Sequence, residues 1–304
     1  MQIPLRVEMV DDPPKPPWLK IRPPHGEQFG EIKATLRELG LNTICESAHC
    51  PNLSECWSGG TATFMVLGNV CTRGCRFCSV DKGAKGEELD KQEPAKLAEA
   101  VRRWKLNYIV VTSVDRDDLP DQGAGHFAQC ITALKQSNPD LIVEVLIPDF
   151  RGDLSCIKTI AEARPHVIAH NIETTEDLQG VVRDPRAGYW QSIGVLEKVK
   201  MLDPKIFTKS AVMLGLGESD QMVLKAFNDL RSVGCDFMTI GQYMRPSKKH
   251  LPIKNYVSPE KYEWYSQQAL KRGFRYAAAG PFIRSSYRAG EFFVRALLQK
   301  PLVA

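Results

Sequence analysis

The sequence lacks several things, and each absence removes a class of function. No apolar run approaches the ~18 residues that a bilayer-spanning helix needs; the longest candidates, Tyr108–Val114 and Leu141–Pro148, are strand-sized and flanked by polar residues. Charge of one sign is not in excess: the net charge is +4 over 304 residues, so composition gives nucleic-acid binding no support. The first residues, MQIPLRVEMVDD, hold no basic stretch followed by an apolar one, so no secretory signal is visible. Early acids argue against an organelle transit peptide, and a cytoplasmic setting is expected. There is no internal repeat and no low-complexity tract beyond a proline-dense stretch at residues 11–24, read as an extended arm that does not pack.

What remains is ordinary globular composition, 43% hydrophobic and 25% charged. From residue 61 onward short apolar runs alternate with helical patterns. The expected strands are Thr63–Gly68, Tyr108–Ser113, Ile142–Ile147, Val167–Glu173, Thr208–Leu214 and Phe237–Gly241. Between them lie expected helices at Ala95–Trp104, His126–Gln136, Leu154–Ala163, Trp190–Leu202 and Asp220–Val233, with Glu260–Lys271 after the last strand. Strands apolar almost throughout suit a parallel sheet buried on both faces. Six such units indicate an α/β fold, a partial (β/α)6 TIM-like barrel. Residues 1–60 are expected to be an arm and an extension, 61–276 the barrel, and 277–304 a tail with a helix at Glu291–Lys300. Polar or glycine-rich segments follow the strands, namely GNVCTRGC, TSVDRDD, NIETTED, GLGESD and GQYMRPS, and loops at strand C-termini build the site in this architecture.

Cysteine is the informative residue. Nine are present, an odd number without an export signal, which favours reduced thiols over disulfides. Six fall between residues 45 and 78. Cys71, Cys75 and Cys78 form C-x3-C-x2-C directly after a strand, with Gly74 expected to let the backbone fold close. Three thiolates can hold three irons of a four-iron cluster, and no fourth cysteine follows nearby, so one iron would stay open to a small molecule; a zinc site is the competing reading, and the second C-x2-C pair usual for zinc is missing. Cys45, Cys50 and Cys56 form C-x4-C-x5-C on a polar segment containing Pro51, expected to be an irregular loop. Six thiols this close favour two clusters. A zinc site with His49 as fourth ligand is the competing reading of the second set. Cys130, Cys156 and Cys235 have no ligand spacing and are expected to be small buried apolar residues.

The CTRGCRFC segment, with an aromatic residue before its last cysteine, resembles the radical S-adenosylmethionine superfamily. With CESAHCPNLSECW, TSVDRDDLPDQGA, NIET and GPFIRSSYRAGE, all in order between about residue 15 and 292, the chain resembles the lipoyl synthase family. The resemblance implies two 4Fe–4S clusters and S-adenosylmethionine as cofactors. It implies sulfur insertion at C6 and C8 of an octanoyl chain carried on a lysine of a lipoyl-carrier domain or glycine-cleavage-type carrier protein. It further implies an electron donor such as ferredoxin or flavodoxin. It places Phe77 near adenine and gives the second cluster a serine ligand from RSSY: Ser286, with Ser285 as the second choice. Hard oxygen holds iron less firmly than thiolate does, which suits a cluster that surrenders sulfur.

Among the remaining polar residues, Ser113 and Asp115 end a strand and are candidates to hold the α-ammonium of S-adenosylmethionine. Asn171 and Glu173 share a strand face and are candidates for its carboxylate or ribose. Each set also fits ordinary strand-end turns. His170 is expected to be a structural histidine. Arg245, Lys248 and Lys249 read as a solvated basic patch, or as a patch that meets an acidic carrier. Other radical sulfur-inserting or methylthio-transferring enzymes, a two-cluster electron carrier, and a zinc-stabilised binding module are the alternatives. The open iron of the first set speaks against the carrier.

Overall fold

The structure, a computed structural model, describes residues 11–20, 27–48, 50–58 and 63–287. His49, Arg288 and the expected helix at Glu291–Lys300 lie outside the described residues.

The strands are β1 (Asn42–Thr43), β2 (Thr63–Val66), β3 (Val70–Cys71), β4 (Asp81–Lys82), β5 (Tyr108–Ser113), β6 (Ile142–Leu146), β7 (Val167–Ala169), β8 (Phe207–Leu214), β9 (Phe237–Gln242) and β10 (Tyr276–Gly280). Eight of them form one sheet in the order β1-β2-β5-β6-β7-β8-β9-β10; β3 and β4 pair separately beside it. Only β1 runs antiparallel, with Asn42 opposite Met65 and Thr43 opposite Phe64. The seven parallel strands follow one another in chain order, as successive βα units dictate. The result is a partial barrel open between β1 and β10. Strand β10 continues the sheet inside what the sequence assigns to a tail; its run YAAAG carries too little bulk to read as a strand.

Ten helices complete the described residues: α1 (Glu27–Leu39), α2 (Ile44–Ser47), α3 (Leu53–Ser58), α4 (Glu93–Trp104), α5 (Ala124–Ser137), α6 (Leu154–Glu162), α7 (Gln179–Val182), α8 (Tyr189–Leu202), α9 (Asp220–Ser232) and α10 (Pro259–Lys271). The long ones lay apolar stripes on the sheet. Leu97 and Val101 of α4, Phe127 and Leu134 of α5, and Ile157 and Ile160 of α6 are fully buried. Ser219 caps α9 and Ser258 caps α10.

Two expectations are corrected. The 45–56 segment is not irregular: Thr43 caps α2 by accepting the Glu46 N–H, and the Cys56 N–H donates to the Asn52 carbonyl, so short helices carry Cys45 and Cys56. Strand β7 ends at Ala169, four residues early, because His170 turns into a hydrogen-bonded pocket and Glu173 takes a φ of 63°.

The two ends of the barrel differ. The first residues of the strands, among them Tyr108, Ile142, Val167, Phe207 and Phe237, make an apolar plug. Phe207 and Phe237 stack with centroids 5.3 Å apart. Just above it the Lys209 ammonium lies 2.7 Å from Glu144, whose other oxygen accepts from the Tyr108 hydroxyl. Both charged side chains are buried. Lys209→Met should therefore lower unfolding stability by roughly 3–5 kcal/mol, since it strands a buried carboxylate. Adding Glu144→Gln should restore part of the loss; denaturant melts of the two variants check this.

Candidate active site

The opposite end opens into a cavity of about 530 Å³. The loop after β2 folds over it, carrying Cys71 at the end of β3 and Cys75 and Cys78 on the following turn. All three thiols line the cavity, with Phe77 between the last two. Ser113 at the end of β5, Asp115 two residues later, and Asn171 and Glu173 after β7 line it as well. The Asn171 amide donates to Glu173 Oε1 at 3.0 Å, so these two side chains share one side despite the shortened strand.

The second triad forms the cavity's flank. Cys45 and Cys50 face the large cavity and also border a small recess, which Cys56 joins from α3. Asn52 and Thr63 border it too, and the rest of its wall comes from the far end of the chain, Arg284, Ser286 and Tyr287. The return is fixed by polar contacts: the Asn52 amide donates to the Phe282 carbonyl at 2.5 Å, and the Tyr287 hydroxyl donates to Glu55 at 2.8 Å. It passes β9 at Gly241, where a Cβ would sit 2.1 Å from the Ile283 carbonyl oxygen, so no larger residue fits. Ser285 is turned the other way and its hydroxyl lies 3.3 Å from Asn171 Oδ1. Only Ser286 of the pair reaches the small recess.

All nine cysteines are unpaired thiols. Burial, reinforced by Cys50, lifts Cys45 to about 11; burial lifts Cys78 to about 11 and Cys71 to about 12, and raises Cys56 and Cys75 as well. Such thiols are poor nucleophiles at neutral pH, but metal binding displaces their protons. Two backbone donors already point at sulfur, Arg73 N–H at Cys71 and Asp184 N–H at Cys75, both at 3.4 Å. Largely shielded thiols in two triads, with backbone amides aimed at two sulfurs of the first, are a donor set suited to iron–sulfur clusters.

A charged network that the sequence did not reveal holds the first triad. Arg73, inside the CTRGC turn, is buried. Its Nε and Nη2 donate to Asp117 at 3.0 Å, and its Nη1 donates to Asp149 at 2.6 Å. Asp184 accepts the Gly74 N–H at 2.7 Å and also holds Arg186, which donates to the Thr72 carbonyl at 2.6 Å. Loops after β5, β6 and β7 thus grip one turn. Gly74 itself is exposed, its φ lies outside the left-handed region, and a Cβ would meet only Asp184 at 3.5 Å; room for the fold comes from the salt bridges, not from this glycine. Asp115 stands beside Arg73 at 3.4 Å, yet burial still pushes its carboxyl up to about 6. The Ser113 hydroxyl is buried without a hydrogen-bond partner. An orphaned hydroxyl and an acid at the mouth are what a polar, cationic ligand would satisfy.

Residues 65–230 match the radical SAM superfamily, and residues 5–50 match the N-terminal domain of lipoyl synthase of the radical SAM family. Lipoyl synthase of Anaeromyxobacter sp. is 54% identical over 281 residues, covering 92% of this chain and 95% of the relative. The chain belongs to the lipoyl synthase family. The mitochondrial lipoyl synthase of Sorghum bicolor is 52% identical over 292 residues, covering 94% of this chain and 76% of the relative. Among solved structures, the FeFe-hydrogenase maturase HydG from Carboxydothermus hydrogenoformans superposes with a TM-score of 0.58 at 14% identity, over 89% of this chain and 69% of that one. Methylornithine synthase (PylB) gives 0.53 at 10%, over 82% and 74%; both likenesses concern the fold. As a family member the chain is a radical sulfur-inserting enzyme whose cofactors are S-adenosylmethionine and two 4Fe–4S clusters.

Residues without a proposed ligand role behave as their surroundings dictate, including His170 and Arg245, which line the cavity. His170 Nδ1 lies 2.8 Å from the Ile147 carbonyl and Nε2 2.9 Å from Ser192 Oγ, a structural histidine as expected. Cys130, Cys156 and Cys235 are buried. Arg245 is not part of a solvated patch: it is buried against Asp12, and the proline arm packs here, correcting both expectations.

Two outcomes follow. Arg73→Met removes the counter-charge between Asp117 and Asp149, and iron bound per chain should fall by about half, read by metal analysis, because only the first triad loses its support. Burial of neutral His170 lowers its pKa to about 4. The unfolded chain then binds the extra proton first, so stability should be complete above pH ~6.5 and fall by up to ~3 kcal/mol towards pH 4. His170→Gln should flatten that part of a stability-versus-pH profile.

Proposed function

We propose that the two triads divide one reaction between them. The chain is a lipoyl synthase by family, inserting sulfur at C6 and C8 of a protein-bound octanoyl-lysine. The observation that supports the division is that five of the six triad thiols, Cys45, Cys50, Cys71, Cys75 and Cys78, face one cavity.

In this reading Cys71, Cys75 and Cys78 hold the cluster that binds S-adenosylmethionine, and Cys45, Cys50, Cys56 and Ser286 hold the second. When bound, the first centre with S-adenosylmethionine supplies a 5′-deoxyadenosyl radical, and the second supplies sulfur. The protein's own residues bind and orient. Asp115 and the unpartnered Ser113 hydroxyl receive the α-ammonium, Asn171 and Glu173 the ribose or carboxylate, and Phe77 packs at the adenine. Leu146, Ala211, Val212 and Ile283 give the acyl chain an apolar wall at the cavity. The C–H bonds at C6 and C8 offer no acidic proton, so no residue is assigned as a general base. Ser286 fits the ligand role better than Ser285, whose hydroxyl is engaged with Asn171.

The substrate is a protein-bound octanoyl group and an electron donor is required. Within the proposal the carrier is a lipoyl-carrier domain or a glycine-cleavage-type carrier, and the donor a ferredoxin or flavodoxin. Residues 1–60, 61–276 and 277–304 serve as extension, barrel and closing tail, with the first residues of the tail completing the barrel sheet as β10. No described helix is long and apolar enough to cross a membrane. A cytoplasmic setting belongs to the proposal, while plant relatives carry mitochondrial or chloroplastic names.

Anaerobically purified protein should hold about eight irons per chain. Cys78→Ala should keep about four and lose S-adenosylmethionine cleavage; Cys56→Ala should keep about four, still cleave S-adenosylmethionine, and yield no sulfur-bearing octanoyl-lysyl peptide. Zinc in place of iron, or loss of cleavage in both variants, overturns the division.

A further inference from the structure

The reaction leaves the proline-dense arm without a role, yet the arm is pinned at Asp12 against a buried arginine. Asp12 Oδ1 accepts from Arg245 Nη1 at 3.2 Å and from the Ile253 N–H at 2.9 Å. The Arg245 side chain is 4% exposed, and its other donors go to the His250 carbonyl at 3.1 Å and the Lys248 carbonyl at 2.8 Å. This loop between β9 and α10 lies on the turn that carries the first triad. His250 Nε2 is 3.1 Å from the Cys78 carbonyl, and the Leu251 N–H donates to the Arg76 carbonyl at 3.4 Å. Asp12 therefore stands at the end of a continuous run of contacts that begins at the thiol turn.

Beyond Asp12 the arm reaches the cavity. Its prolines limit the conformations it loses on docking, which lowers the entropy cost of holding it there. A turn closed by the Leu19 N–H on the Pro16 carbonyl, at 3.1 Å, brings Leu19 to the cavity wall, and Lys15 lines the same cavity. Trp18, between them in sequence, is 39% exposed.

We infer that the arm is an acyl-selecting lip of the cavity: Asp12 pins it to Arg245, and Leu19 supplies part of the surface against which the octanoyl chain packs. Asp12 is a positioning residue in this arrangement and Leu19 a specificity residue. The inference rests on the reading that the octanoyl chain occupies this cavity. Asp12 touches neither thiol triad, and the Arg245–His250 and His250–Cys78 contacts that link its site to the thiol turn do not involve it, so its loss acts on the acyl chain through Leu19 and leaves the cofactors in place. Asp11, which among the described residues meets exposed Lys248 at 3.4 Å, has no such linkage.

The test is binding of fluorescently labelled octanoyl- and decanoyl-lysyl peptides to anaerobic holoprotein, followed by anisotropy, with iron content and S-adenosylmethionine affinity measured on the same samples. Asp12→Ala should weaken octanoyl-peptide binding about tenfold, the scale of one broken charge-assisted contact, with iron and S-adenosylmethionine affinity unchanged. Asp11→Ala should bind as wild type. Leu19→Ala should lower the preference for octanoyl over decanoyl by about tenfold, because a few methylenes of wall are removed. Wild-type affinity in Asp12→Ala, or an unchanged chain-length preference in Leu19→Ala, overturns the inference. Failure of the wild type to bind any acyl peptide would instead reject the assigned substrate, and the lip with it.

Discussion

Everything at the mouth of this barrel depends on one buried guanidinium. Arg73 sits between Asp117 and Asp149, with Asp115 close by. Taking such a charge out of water is costly unless carboxylates surround it, and here they come from two different strand ends. The turn holding Cys71, Cys75 and Cys78 can therefore occupy one position only when the loops after β5 and β6 are in theirs. Asp184 and Arg186 add a third anchor from beyond β7. A chemistry that releases a reactive radical needs such fixity, since a misplaced substrate carbon would let the radical attack the protein.

The molecule separates this charged rim from a closed, apolar base. Strand starts pack Phe207 on Phe237, and the ion pair just above them, Lys209 with Glu144, is fully internal. Strand ends instead carry acids, hydroxyls and thiols. The parallel arrangement sends the seven strands from β2 to β10 of the main sheet in the same direction, so it decides which end collects the polar loops. Two additions then complete the flank. The α2–α3 segment brings Cys45, Cys50 and Cys56, and the returning tail brings Ser286 past the narrow gap at Gly241.

Much of this was legible in the sequence because it depends on local pattern. Six strands and six helices stand within a few residues of where periodicity puts them, and every residue proposed for the site lines one of two adjoining cavities. What escaped is non-local or weakly patterned. Strand β10 is alanine-rich and lacks a strand's bulk. The roles of Arg73, Asp149 and Asp184 arise from contacts across some 76 and 110 residues of chain, which no spacing reveals. The helices around Cys45 and Cys56 were hidden by Pro51, which fits the turn between them. Asp12 and Arg245 read separately as arm and solvated patch, because their contact spans 233 residues.

The central claim is that one thiol triad retains its cluster while the neighbouring triad gives up sulfur into the shared cavity. The most direct measurement reconstitutes the protein with heavy-isotope sulfide and removes free sulfide. A single anaerobic turnover with an octanoyl-lysyl peptide, S-adenosylmethionine and a strong reductant is then followed by mass spectrometry. The account predicts heavy sulfur in the product and a matching loss of sulfide from the protein. A product carrying only sulfur of natural abundance, with the protein's labelled sulfide intact, would contradict it.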